Sequence, residues 1–413
     1  MQVPRLSAFF ARCFNRTGVV AISVFLNFAG FTLIIPVLPF SVARYVAAAD
    51  VAWWVALILA VYALSSFIAA PVLGALSDRV GRRPVVLLSL GGSAAGFAVF
   101  GVGGALWVLV AGRVVEGLTA GSISALYAYV ADTHAPAARG PAFGMLGAAG
   151  GLGFMLGPVL GGLLGQMSLS APLYGAAVLA LLNMVLVYFY MPESHPRDQR
   201  STRLHWGQFN ALGQLAGVLC ERRLRVLFAV VFCFAYGSTV LQSNLALLLK
   251  DVLAFQPAGI GLVLAGIGVM DIVSQGLAAP RLLPRFGERR VASAGLVING
   301  LGLLTLAGLA LHPALPLLVC GIALFTFGDG LFQPSASALI STAAANKQGE
   351  VQGANQAQQS VARMCGPFAS AWLYGMVAAA PYAVAAIVVL LAASALSRPS
   401  SRGTYCSDFS PLA

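Results

Sequence analysis

Charged side chains are scarce in this sequence. They make up 9% of its 413 residues, against 59% hydrophobic ones. A soluble domain carries about 25% charged residues, so a surface solvated by water all round is excluded for most of the chain. Four histidines (His134, His195, His205, His312) all fall outside the long apolar runs. Six cysteines (Cys13, Cys220, Cys233, Cys320, Cys365, Cys406) are scattered without metal-ligand spacing and read as small apolar fillers. No phosphate-binding loop and no nucleophile with its base is recognisable. No metal, no cofactor and no catalytic residue is therefore expected, and the chain does not read as an enzyme. A cleavable leader is also not evident: Met1 to Arg16 is basic and precedes a full-length apolar run, which is expected to remain as an anchor.

What is present is apolar length. Mean hydropathy is +0.87, and the chain has room for about twelve spans of ~20 residues with short loops. Val51 to Ser77 holds no charged side chain, and none appears between Arg83 and Arg113. The net charge of +11 follows the loops. Only Arg44 and Lys250 among the bases, and Asp50 and Asp251 among the acids, fall on one face; the opposite face takes nearly all the rest. Arginine-rich loops mark the cytoplasmic side. The charge is thus a topology signal, and no nucleic-acid partner is expected.

Between two of these runs lies Gly74-Ala-Leu-Ser-Asp78-Arg79-Val-Gly81-Arg82-Arg83. It is a turn at one membrane surface, with Gly81 supplying backbone freedom and Pro84 suiting the next helix start. The pattern resembles the loop between the second and third helices of the major facilitator superfamily. With Asp132 and Arg139 it forms the family's conformational-switch motif. The resemblance implies that Asp78 stabilises an outward-open state by sitting against the start of the eleventh helix, near Gly349 to Gln352. Asn27-Phe-Ala-Gly30-Phe-Thr-Leu-Ile-Ile-Pro36-Val-Leu-Pro39 and Tyr190-Met-Pro192-Glu193-Ser194 resemble the tetracycline-efflux group of drug:proton antiporters, which usually carries aspartate where this chain has Asn27. Gly144, Gly153, Gly157, Pro158, Gly161 and Gly162 match the glycine motif associated with antiporters. Physically, small residues at helical spacing let two helices approach, and Pro158 offers a kink.

The second half repeats the first. Gly287 in Arg285-Phe-Gly287-Glu-Arg289 stands 206 positions after Gly81, Gly330 stands 209 after Gly121, and Gly366-Pro367 stands 209 after Gly157-Pro158. The expected fold is an all-α polytopic membrane protein of two six-helix bundles related by a pseudo-twofold axis, with the site between them. The expected divisions are 1–192 for the first bundle, 193–222 for a cytoplasmic linker, 223–398 for the second bundle and 399–413 for a tail. A monomer in the inner membrane of a bacterium is expected, with both termini cytoplasmic and with a small organic substrate, protons and the lipid bilayer as its partners.

Charge inside a membrane is expensive and asks for a role or a partner. Five such residues remain: Arg113, Glu116, Asp271, Asp329 and Arg363. In the family plan all five fall on cavity or seam helices. Glu116 is ten residues into its helix, ~15 Å deep, with Arg113 three residues earlier on the same face. That pair reads either as a self-neutralising strut or as a proton site. Asp329 and Arg363 lie on sequential helices and are candidates for a second pair. Asp271, with Gln275 one turn away, is either a second titrating group or a packing residue. The eleventh span opens with a polar stripe of Gln352, Asn355 or Gln356, Gln359 and Arg363. Together with Asn27, Phe28, Phe31, Tyr236, Gln242 and Asn244, residues Gln356 and Gln359 are the substrate-cavity candidates, suited to an amphipathic organic compound.

The leading function is proton-coupled export of such a compound by alternating access. One alternative is a dedicated exporter or importer of one metabolite, such as a siderophore. Another, of a different class, is a transporter-like receptor or scaffold that does not cycle. The first helix lacks the usual aspartate, so Glu116 is the expected proton carrier and Asp329 the second candidate. The charge tally itself is testable: impermeant thiol labelling in intact cells is expected at a cysteine placed near Arg44 and not at one near Arg200. The reverse pattern would overturn the topology.

Overall fold

A computed structural model describes residues 16–195, 222–344 and 348–397, and every regular element among them is helical. Among the described residues, ten helices are long and apolar enough to cross a membrane. The first bundle comprises Arg16–Thr32 continued by Leu38–Val42 (first span), Val51–Val80 (second), Arg82–Val102 (third), Leu106–Leu118 with Ser122–Thr133 (fourth), Pro136–Met167 (fifth) and Ala171–Tyr190 (sixth). The second comprises Arg222–Leu253 (seventh), Pro257–Val273 running through a π-turn at Ser274–Ala278 into Ala279–Phe286 (eighth), Glu288–Leu311 (ninth), Leu315–Ala344 (tenth), Gln348–Met376 (eleventh) and Ala380–Ser397 (twelfth). The linker 193–222 lies outside the described residues except at 193–195 and 222, and the tail 399–413 lies wholly outside them.

The repeat seen in the sequence is a repeat in packing. The first span packs on the fifth and sixth, the third on the fourth and sixth, and the second on the fourth. In the second bundle the seventh packs on the eleventh and twelfth, the ninth on the tenth and twelfth, and the eighth on the tenth. Gly81 and Gly287, one in each repeat, both hold positive φ (116° and 78°) between consecutive helices. That conformation costs glycine little and strains other residues, so one backbone device ends the second span and the eighth.

Three spans depart from the continuous helices expected. The first breaks after Thr32 because Pro36 and Pro39 lack the N–H an α-helix needs. The chain there tightens to i→i+3 bonds, Ile35 N to Thr32 O and Val37 N to Ile34 O. The fourth breaks at Thr119–Gly121, three residues past Glu116. The eighth carries its π-turn three residues past Asp271. Large apolar side chains such as Trp107 and Phe189 are strongly exposed on the outer surface, as lipid-facing positions require.

Candidate functional site

The arginine loop is an ordered electrostatic knot. Arg82 reaches Asp78 at 2.5 Å, Asp132 at 2.9 Å through Nε, and the Ser77 hydroxyl at 3.2 Å. Glu193, at the end of the sixth span, accepts the backbone N–H groups of Arg82 (2.9 Å) and Arg83 (3.2 Å). A carboxylate therefore caps the start of the third span, where unpaired N–H groups and the helix dipole favour negative charge. Arg83 lies over the Tyr188 ring at 5.3 Å and donates to the Tyr188 carbonyl. Arg79 is exposed, a Cβ on Gly74 would meet no neighbour within 4 Å, and Arg139 bonds the His134 carbonyl at 3.2 Å. Asp78 is half exposed and engages Arg82. The side chains of Gly349 to Gln352, to which the resemblance assigned it, lie outside the described residues. From sequence Glu193 enters only within the motif at the end of the sixth span, without a capping role; a carboxylate at the end of one span beside the bare start of another was the available signal.

The glycine motif of the fifth span serves two neighbours. A Cβ on Gly153, Gly157 or Gly161 would run into the first-span backbone at Phe25, Ala29 and Leu33. On the adjoining face, a Cβ on Gly162 would meet Pro257 O at 2.6 Å and one on Gly165 would meet Pro257 Cβ at 3.1 Å. The eighth span reciprocates: a Cβ on Gly261 would run into the Pro158 carbonyl and one on Gly268 would lie 2.7 Å from Met155 Cβ. Gly144, Gly147 and Gly151 continue that face at helical spacing, yet a Cβ on any of them would meet nothing within 4 Å among the described residues, and the same holds for Gly276 across the seam. The fifth and eighth spans thus touch along one half and part towards the arginine-rich end.

The other seam, between the second and eleventh spans, closes at the end away from the arginine loop. Trp53 and Phe368 pack with ring centroids 5.5 Å apart and planes tilted by 52°. Lys250 sits 5.9 Å over Phe40, and Tyr374 donates to Asp251 at 3.2 Å. Leu247 and Ala371 join an apolar cluster of Leu33, Ile34, Leu38, Val51 and Val55 from the first bundle. At the arginine-rich end, the cluster built around Val19, Leu73, Val86, Leu126 and Val187 is drawn from the first bundle alone, among the described residues.

Inside the first bundle, Arg113 and Glu116 form a direct ion pair of 2.7 Å, with 3% and 4% of their surfaces exposed. Three glycines let the backbone close around it. A Cβ on Gly96 would lie 2.9 Å from Glu116 Cβ, one on Gly112 would lie 2.7 Å from Gly96 O, and one on Gly117 would lie 2.6 Å from Ser65 Cβ. The Arg113 guanidinium also lies 5.2 Å over Phe100 and 5.7 Å over Tyr62. Tyr62 in turn packs against Phe31 at 5.4 Å. Just beyond the pair, at the break, Asn27 donates to the Ser122 hydroxyl at 2.7 Å. Half-buried Phe28 covers Gly150 of the fifth span.

The charges of the second bundle pair differently from expectation. Asp329 does not meet Arg363. It accepts from Ser238 (3.2 Å) and Gln333 (3.1 Å), and Asp271 of the eighth span lies within its electrostatic reach, with Gln275 bonded to it. The other Asp271 oxygen, Oδ1, is buried without a hydrogen-bond partner. The π-turn and Gly330 cause this approach, since a Cβ on Gly330 would collide with Ser274. Arg363 is exposed along the seam. The polar stripe divides: Asn355 and Gln358 are buried and bond each other at 3.3 Å, whereas Gln359 is half-buried one turn before Arg363. Side chains of Gln352 and Gln356 lie outside the described residues. Asn244 is a correction to the cavity set. It is buried between the seventh and eleventh spans, where its amide is taken by Ser370 at 2.5 Å. Gln242 is exposed and Tyr236 half-buried against the second bundle's core.

Two six-helix bundles joined by two seams, with a buried ion pair beside them, define a membrane transporter rather than an enzyme. The family model for the Major Facilitator Superfamily matches residues 20–225 and 227–404, and the chain belongs to that superfamily. It is 34% identical over 368 residues to the tetracycline resistance protein, class C, of Escherichia coli, covering 87% of this chain and 90% of that one. The crystal structure of the human organic anion transporter MFSD10 is similar with a TM-score of 0.70 and 26% identity, over 92% of this chain and 99% of that one. The nucleoside transporter NupG shares the fold at a TM-score of 0.77 and 14% identity, over 92% and 99% of the two chains.

The capping role of Glu193 is open to measurement. Losing a capping carboxylate costs about 1 kcal/mol, so Glu193→Ala is expected to lower the thermal midpoint of the purified protein, with Glu193→Asp between it and wild type. A midpoint unchanged in Glu193→Ala would contradict the assignment.

Proposed function

We propose that the chain exports an amphipathic organic compound of the tetracycline type in exchange for protons, by alternating access, across the inner membrane of a bacterium. The arginine-rich face is then cytoplasmic, with both termini on that side, and the described conformation is open to the cytoplasm and closed to the outside. The protein works as a monomer, because each chain carries both bundles and the seams between them.

The observation that carries this reading is the Arg113–Glu116 pair, buried beside a break in its own helix and in contact with Tyr62. Charge is retained inside a bilayer where it marks an ion or substrate path. Glu116 is the proton carrier in this scheme. When protonated it releases Arg113, whose guanidinium already faces Tyr62 on the second span. A change of charge at Glu116 is thereby felt at the seam, and the two bundle arrangements differ in how they accommodate it. The Asp271–Asp329 pair is the second site of proton exchange, since two facing carboxylates without a cation favour a shared proton. Phe31 and Tyr62 supply apolar and aromatic wall on the first-bundle side.

Everted vesicles loaded by a proton gradient test the scheme with tetracycline as the transported compound. Glu116→Gln is expected to fold and bind tetracycline but to lose proton-driven transport, at least tenfold. Full transport in Glu116→Gln together with loss in Asp329→Asn would place the carrier in the second bundle and contradict the assignment.

A further inference from the structure

Four of the five intramembrane charges are occupied. Arg113 and Glu116 hold each other, Asp329 is bonded by Ser238 and Gln333, and Asp271 is bonded by Gln275. Arg363 is the exception. Among the described residues no carboxylate lies within ion-pair distance of it. Its one hydrogen bond runs from Nε to the Gln359 carbonyl of its own helix, and is long at 3.4 Å. The remaining guanidinium N–H groups have no hydrogen-bond partner among the described residues.

The position of Arg363 is as telling as its lack of a partner. It lies near the middle of the eleventh span, which packs across the seam on the second span. Five residues further on, Phe368 packs against Trp53 and closes the seam. Arg363 is thus about 7.5 Å on the open side of that closure, at 1.5 Å per residue. Across the seam its charge is within electrostatic reach of the Tyr62 hydroxyl. That hydroxyl makes no hydrogen bond among the described residues, although its ring is gripped by Phe31 and Arg113. A fork of N–H donors on the eleventh span and an O–H group on the second therefore lie on two spans that pack across one seam, within electrostatic reach of each other. A guanidinium in such a place, strongly donating and never deprotonated, matches a carboxylate or another planar oxyanion.

We infer that Arg363 and Tyr62 together hold an anionic group of the transported compound, so that its substrates are amphipathic acids or zwitterions rather than simple lipophilic cations. The inference rests on the export reading above, and adds to it the chemistry that the seam selects. The Arg113–Glu116 pair behind Tyr62 is neutral as a unit, so it neither replaces Arg363 nor competes with it for the anion. Tyr62 connects the two: one face of its ring carries the buried pair, and its hydroxyl borders the anion.

A matched pair of dyes tests it on the purified full-length chain. Rhodamine 110 has a free carboxylate, and rhodamine 123 is its methyl ester, so the two differ at the group in question. Fluorescence polarisation is expected to give tighter binding of rhodamine 110. A lost charge-assisted hydrogen bond is worth roughly tenfold in affinity or more, so Arg363→Gln is expected to abolish the preference. Arg363→Lys is expected to retain part of it, and Tyr62→Phe to weaken it by a smaller factor. Size-exclusion profiles matching wild type establish that each variant is folded. Equal affinity for acid and ester in the wild type, preference for the ester, no binding of either dye, or a preference that survives Arg363→Gln would each overturn the inference. Tetracycline export by the same preparations in proteoliposomes separates the two readings. If the wild type exports tetracycline without distinguishing the dyes, only the anion site falls; if it discriminates the dyes without exporting, the export reading falls.

Discussion

A buried guanidinium and a buried carboxylate, three residues apart on one helix, set the terms for the rest of the first bundle. Removing one partner of such a pair strands a charge in low dielectric, at a cost of about 3–5 kcal/mol. Keeping both requires that water be excluded and that neighbouring backbones come close. The sequence answers with Gly96, Gly112 and Gly117, at each of which a Cβ would collide with a neighbouring span. Phe100 and Tyr62 then cover the guanidinium with aromatic faces, a favourable setting for a cation that water does not reach. The break that follows at Thr119–Gly121 leaves the fourth span as two helices meeting within the membrane. Interrupted helices at such depth recur where transporters bind their ligands.

The seams translate this local chemistry into shape. The fifth span presents one row of small residues to the first span and another to the eighth. The first row joins it permanently to its own bundle through backbone contacts that no larger side chain permits. The second row touches the eighth span only from Met155 outward, and Gly144, Gly147 and Gly151 on the same face stand clear. An interface of small residues without interlocking side chains resists sliding and rocking less than a knobs-into-holes one does. The knot of Asp78, Arg82, Asp132 and Glu193 stiffens the opposite corner, tying the second, third, fourth and sixth spans at one surface.

Much of this was legible in the amino-acid order because membranes make strong demands. Apolar length, the asymmetry of arginine and the repeat of Gly81 at Gly287 follow from hydrophobicity, charge and backbone conformation, which are properties of single residues. The Arg113–Glu116 pair was legible for the same reason, since i and i+3 share a helix face whatever the tertiary structure. What depended on the relation between helices was not. Asp329 and Arg363 lie on consecutive spans, yet Ser238 and Gln333 satisfy the one and the seam isolates the other. Asn244 looked like a cavity residue and is spent on Ser370. The π-turn after Asp271 adds a residue to one turn, a shift of register that apolar periodicity does not reveal. Tyr62, which was missed, and Glu193, whose capping role was, act through a ring face and through backbone N–H groups, neither of which has a sequence pattern of its own.

The central claim is that the charge on Glu116 decides which end of the seam is closed. Spin labels at Gly147 and Gly276, in a protein whose native cysteines are replaced, report the width of the arginine-rich end directly, and both positions stand clear of neighbours. In lipid nanodiscs the distance distribution between them is predicted to move between a long and a short population as pH is changed. In Glu116→Gln it is predicted to stay at one of the two whatever the pH. A Glu116→Gln protein whose distances follow pH as the wild type's do would contradict the account.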